Sequence, residues 1–129
     1  MNKFLSTYGL TRSPFSKDIP PAEMFRTEQF DEALESIKAA LEGQTSAAIT
    51  GDSGSGKTCL IRVLEEDLPQ GRYRLHYTPN ATVNRRDFYR QISIGMGLEP
   101  HSSFAALYAN ISQHIQDLAM QHKLRVILV

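Results

Sequence analysis

Eight consecutive residues, Gly51-Asp52-Ser53-Gly54-Ser55-Gly56-Lys57-Thr58, constrain this chain more than any other stretch. Glycines let the backbone turn through positive φ, so that successive N–H groups face one concavity and can hold oxyanions. A lysine and a hydroxyl follow at once. The spacing is G-x-x-x-x-G-K-[ST]. In that pattern the backbone cradles phosphates, the lysine reaches the β- and γ-phosphates, and the hydroxyl ligates Mg²⁺. Ala47-Ala48-Ile49-Thr50 reads as a short buried strand, and Cys59 to Glu66 as a helix. Strand, loop and helix in that order is the context the pattern needs, and the helix aims its positive end at the same phosphates. The plain alternative is a flexible Gly/Ser turn that happens to end in lysine.

The candidate ligand set is therefore Gly51, Asp52, Ser53, Gly54, Ser55, Gly56, Lys57 and Thr58, with Thr58 as the Mg²⁺ ligand. Asp52, Ser53 and Ser55 fill variable positions, where backbone N–H groups matter more than side chains. A loop carboxylate such as Asp52 is a poor catalytic acid, because phosphate repels it.

The remaining sequence supplies an α/β frame. Phe30, Ala33, Leu34, Ile37, Ala40 and Leu41 follow a helical period, which predicts a helix over 27–41 capped by Thr27 and closed near Gly43. Pro69-Gln70-Gly71 ends the helix after the loop. Tyr73, Leu75 and Tyr77 alternate with Arg74 and His76, as in an edge strand buried on one face. Helices are expected over 84–95, through Phe88, Ile92 and Met96, and over 103–121, through Phe104, Leu107, Ile111, Ile115 and Leu118. Val126-Ile127-Leu128-Val129 reads as a central strand buried on both faces. Strands alternating with helices predict a parallel sheet. Residues 1–26 show little helical period and hold Pro14, Pro20 and Pro21. Phe4, Tyr8, Phe15 and Phe25 would anchor this arm on a domain.

Composition excludes several classes. Lys+Arg and Asp+Glu are both 14, so no overall basic field points to nucleic acid, while a local patch stays open. One cysteine allows no intrachain disulfide and suits a reducing cytoplasm. Cys59 reads as a packing residue or a redox switch. The opening residues are no signal peptide, and no run reaches the ~18 apolar residues of a membrane span. His76, His101, His114 and His122 lack metal-ligand spacing. Arg85, Arg86 and Arg90 cluster at one helix start. They read as contacts to a DNA phosphate backbone or as a solvated helix face.

Tyr8-Gly9-Leu10-Thr11-Arg12-Ser13-Pro14-Phe15-Ser16-Lys17-Asp18 resembles the opening of ExeA-like AAA+ ATPases. The likeness continues through Phe25, the helix at 27–41, Thr50–Thr58, Asp87-Phe88, Gly97-Leu98 and 126–129. It implies a P-loop NTPase with an AAA+-like parallel sheet and flanking helices. It also implies ATP with Mg²⁺ as cofactors, ATP hydrolysis, and a homo-oligomer with nucleotide between subunits. Such proteins act beside transposases, as TniB- and MuB-like regulators that bind DNA, or serve secretion and the cell envelope. The first role is the one expected here, with DNA and a transposase as partners. Phe15, Phe25 and Arg26 would line the adenine side.

In this family the sheet order is 5-1-4-3-2. The strands at 47–50, 73–77 and 126–129 would be numbers 1, 2 and 3. The acids that normally follow strand 3 do not appear, since no Asp or Glu lies after Asp117. The expectation is an arm at 1–26 and the N-terminal half of an ATPase domain at 27–129, truncated after the third strand. A fragment without function is the remaining alternative, and whether such a chain turns over ATP is left open.

Overall fold

The computed structural model describes residues 3–129, so the first two residues of the expected 1–26 arm lie outside the described residues. The chain forms two compact units divided between Asp67 and Leu68.

The first unit holds a short helix α1 (Lys3–Thr7), a 3-10 turn at Pro21–Glu23, and two longer helices, α2 (Glu28–Glu42) and α3 (Lys57–Asp67). The start of α2 is written in the sequence. The Thr27 hydroxyl accepts the Phe30 N–H at 3.2 Å, which satisfies one orphan donor of the first turn. Its end differs from the simple glycine expectation. Gly43 stays right-handed at φ −72, and the left-handed residue is Gln44 at φ 57. The Thr45 N–H then reaches back to the Ala40 carbonyl at 2.9 Å, as in a Schellman-type stop. Leu34 and Ile37 of α2 and Leu60, Val63 and Leu64 of α3 are buried. Each contributes about 1.5–3 kcal/mol of apolar burial. Lys38 joins the two helices through Asp67 at 3.1 Å while also meeting Glu35 at 3.1 Å.

Two expectations fail in this unit. Ala47–Thr50 is not a strand, and Ala47 and Ala48 are exposed. A strand exists only by pairing, and no backbone hydrogen bond to a neighbouring strand forms along 46–50. The apolar run was not enough without that neighbour, and two of its four residues are Ala, which strands disfavour. The aromatic anchors of the arm also fail. Phe4 and Tyr8 pair with each other at 5.1 Å, but Phe15 and Phe25 are 85% and 92% exposed. Polar bonds hold the arm instead. Arg62 of α3 donates to the carbonyls of Lys17 at 2.8 Å and Ile19 at 3.0 Å, and Arg12 pairs with Glu23 at 2.9 Å.

The second unit holds β1 (Tyr73–His76), α4 (Arg85–Gly95), α5 (Phe104–Gln121) and β2 (Arg125–Leu128). The two strands pair in parallel, with Tyr73 opposite Arg125 and His76 opposite Leu128. This is the adjacency expected of the strands numbered 2 and 3. The sheet has two strands among the described residues, not three. With one neighbour, β2 is only half-covered, and Leu128 is 48% exposed. The expectation of burial on both faces is therefore corrected. Asn84 and Ser103 cap α4 and α5 by accepting the N–H of Asp87 at 2.9 Å and of Ala106 at 3.1 Å. Ile92 of α4 and Met96 at its C-cap pack with Ile111 of α5, and Phe88, Ile115 and Val126 close around them. Among the described residues, three side-chain polar atoms stay buried without a partner: Tyr73 Oη, His76 Nε2 and Ser93 Oγ.

Candidate functional site

The segment Gly51–Thr58 forms the loop its glycines predict. Gly54 and Gly56 lie at φ 81 and 96, a region that L side chains rarely enter. The Ser55 N–H donates to the Asp52 carbonyl at 3.2 Å, which fixes the turn between them. A Cβ on Gly51 would lie 2.7 Å from Ser55 Oγ, so the first position is also closed to a larger residue without a shift. Helix α3 then begins at Lys57, with Leu60 N–H to Gly56 carbonyl, 2.9 Å, as its first turn. The N–H groups of Lys57, Thr58 and Cys59 have no acceptor within the helix and carry its positive end.

The position of Lys57 is the most informative feature. Its Nζ donates to the Gly51 and Asp52 carbonyls, both at 2.7 Å, so the ammonium lies across the opening residues of the loop. Thr58 is exposed on the first turn of α3, beside that ammonium in sequence. Asp52, Ser53 and Ser55 are exposed at the loop surface. A concavity of this kind suits phosphate. It has left-handed glycines, unspent helix N–H donors and one cation held at its mouth.

The arginine cluster divides. Arg85, Arg86 and Arg90 are all exposed on α4. Arg85 lies over the Phe104 ring, 5.6 Å from its centroid. Arg86 and Arg90 stand one turn apart on the same helix row. Neither makes a hydrogen bond or ion pair among the described residues. Arg26, expected near an adenine, is bound to Asp31 at 2.7 Å and stacked on Phe30. Beside it, Phe25 meets solvent.

Sequence reasoning missed Arg62. On the helical wheel it falls opposite Leu60, Val63 and Leu64, where an arginine reads as solvated. Its bonds to Lys17 and Ile19 span 45 and 43 residues, and no local pattern signals them. Among the described residues, no cluster of three or more His, Cys, Asp or Glu could hold a metal ion. No described helix is long and apolar enough to cross a membrane.

A glycine-rich loop that feeds a helix, with its lysine turned into the loop, defines the phosphate-loop class of nucleotide-binding proteins. The family model described as an AAA domain matches residues 39–129, which include the whole loop, α3 and the second unit. The chain belongs to the AAA domain family, within the broader AAA+ ATPases, and that membership carries nucleotide (ATP) binding in general. No curated protein and no solved structure matches the chain.

Proposed function

We propose that this chain binds Mg-ATP through Gly51–Thr58 and acts, as an AAA+ ATPase of the ExeA-like kind, to regulate DNA transposition. Lys57 would hold the terminal phosphates and Thr58 the Mg²⁺, with the backbone N–H groups from Gly51 to Gly56 lining the cradle. Bound nucleotide supplies a phosphoanhydride whose charge the cation and the lysine neutralise. The observation that carries the reading is Lys57 Nζ at 2.7 Å from the Gly51 and Asp52 carbonyls. An ammonium held there can exchange those carbonyls for phosphate oxygens by a short swing.

In this reading Arg85, Arg86 and Arg90 contact the DNA backbone, and the working form is a homo-oligomer that meets a transposase. The test has two parts. A fluorescent ATP analogue with Mg²⁺ is titrated into the wild-type chain and Lys57→Ala. Binding is expected only in the wild type, and equal binding by both removes the loop assignment. DNA association is then followed with and without ATP across salt. ATP- and salt-dependent binding supports the transposition role. Indifference to both points to a secretion or envelope ATPase instead.

A further inference from the structure

The zero net charge of the chain hides a division between its two units. Residues 1–67 hold seven basic and eleven acidic residues, and residues 68–129 hold seven basic and three acidic, a split of −4 and +4. Of the seven basic residues in the second unit, three stand on α4, with one acid beside them. Arg12 and Arg26 each have a carboxylate partner, whereas Arg85, Arg86 and Arg90 have none among the described residues. The one acid in this helix, Asp87, is engaged by its own cap, accepting from Asn84 Nδ2 at 2.7 Å.

One ring lies directly beside this cluster, Phe104, which sits under the Arg85 guanidinium at 5.6 Å. Tyr89, between Arg86 and Arg90 in sequence, meets Phe104 edge-on at 5.0 Å and Tyr108 at 6.1 Å. Phe104 and Tyr108 are 6.2 Å apart at 34° between planes. Packing between α4 and α5 accounts for Tyr89 and Phe104, which are partly buried. It does not account for Tyr108, which is 54% exposed.

From this we infer that the α4–α5 face is a platform for single-stranded nucleic acid, with a base stacked on Tyr108 and backbone phosphates on Arg86 and Arg90. The inference rests on the nucleic-acid reading of Arg85, Arg86 and Arg90 and specifies the state of the strand. A duplex keeps its bases stacked within itself and offers phosphates only. An unpaired strand offers both, and an exposed ring on α5 packed against the helix that carries the unneutralised arginines suits both. Arg85 has its own ring to cover, so Arg86 and Arg90 are the cations free for phosphate.

The experiment is fluorescence anisotropy with a labelled oligo-dT of about 20 nucleotides and a duplex of equal length, using the full chain with Mg-ATP present. The wild type is expected to bind the single strand more tightly. Tyr108→Ala should weaken that binding about tenfold and leave the duplex unaffected, while Tyr108→Phe should bind as the wild type. Arg86→Ala with Arg90→Ala should lower the salt slope for the single strand by about 1.4. Circular dichroism of each variant verifies that the fold is kept. If both nucleic acids bind alike and Tyr108→Ala changes nothing, the single-strand inference is overturned while the DNA reading stands. If neither binds, both are overturned.

Discussion

The guanidinium of Arg62 donates to the carbonyl of Ile19 at 3.0 Å, across 43 residues of chain. A second bond from the same group, to Lys17 at 2.8 Å, makes it a two-pronged clasp on the backbone of the arm. Bonds from a charged donor contribute about 1.5–3 kcal/mol each when sheltered and less near solvent. Arg62→Ala should therefore cost about 1–3 kcal/mol. It should also hasten tryptic cleavage at Arg12, Lys17 and Arg26 relative to sites in the helices. Arg62→Lys, with a single ammonium in place of the fork, should fall between. Unaltered cleavage of the arm in Arg62→Ala would mean that the clasp does not hold it.

Removing the Lys57 side chain leaves two carbonyls on exposed residues, which water can satisfy. Lys57→Ala should then change the stability of the ligand-free chain by less than about 1 kcal/mol. Mg-ATP at 100 times its dissociation constant stabilises a binding protein by about 2.7 kcal/mol. Thermal melts with and without Mg-ATP should show that gain in the wild type and none in the variant. A variant that still gains would place the nucleotide elsewhere.

Burial holds the His76 imidazole below its usual 6.5, with Arg74 and His114 acting in the same direction and the Gly95 backbone opposing. The unfolded chain takes up a proton near 6.5, and the folded chain resists until a lower pH. Between those two values the unfolded state binds more protons, so stability rises with pH. The contribution is complete above the unfolded value, is lost as pH falls towards the folded one, and is level below both. Melts from about pH 8 down to about pH 5 should show this acid-side loss, and His76→Leu should flatten it. An unchanged slope in His76→Leu would assign the loss to other groups.

Leu34 is fully buried and Thr27 caps the helix that carries it. Leu34→Ala should cost about 2–5 kcal/mol, and Thr27→Ala about 1 kcal/mol with Thr27→Ser near neutral. Denaturant melts that rank Thr27→Ala above Leu34→Ala would mean that burial is not what holds α2.

Helices α2 to α5 were legible in the sequence because their causes are local, whereas the short α1 lies in a stretch that showed little helical period. Thr27, Asn84 and Ser103 lie three residues before the N–H groups they accept, and Phe88 and Ile92 in α4, like Leu107 and Ile111 in α5, recur four residues apart. The loop was legible for the same reason, since glycine conformations and the reach of Lys57 are settled within eight residues. What could not be read depends on distant chain. Ala47–Thr50 has the composition of a strand but no partner, and Val126–Leu128 has one partner where two were expected. Phe15 and Phe25 look like anchors in any local window, yet they meet solvent, while Arg62, which looks solvated, makes the long-range contact.

The hold of Gly51 and Asp52 on Lys57 bears on how quickly and cheaply the loop could engage an anion. A free lysine side chain gives up about 1.5–2 kcal/mol of rotamer freedom when it is fixed in place. Here that loss precedes any encounter, because the two carbonyls already confine the ammonium. An arriving phosphate meets a lysine aimed at the cradle and needs only to outbid two neutral oxygens for it. The loop is in this sense pre-organised, with the entropy of its most flexible member spent in advance.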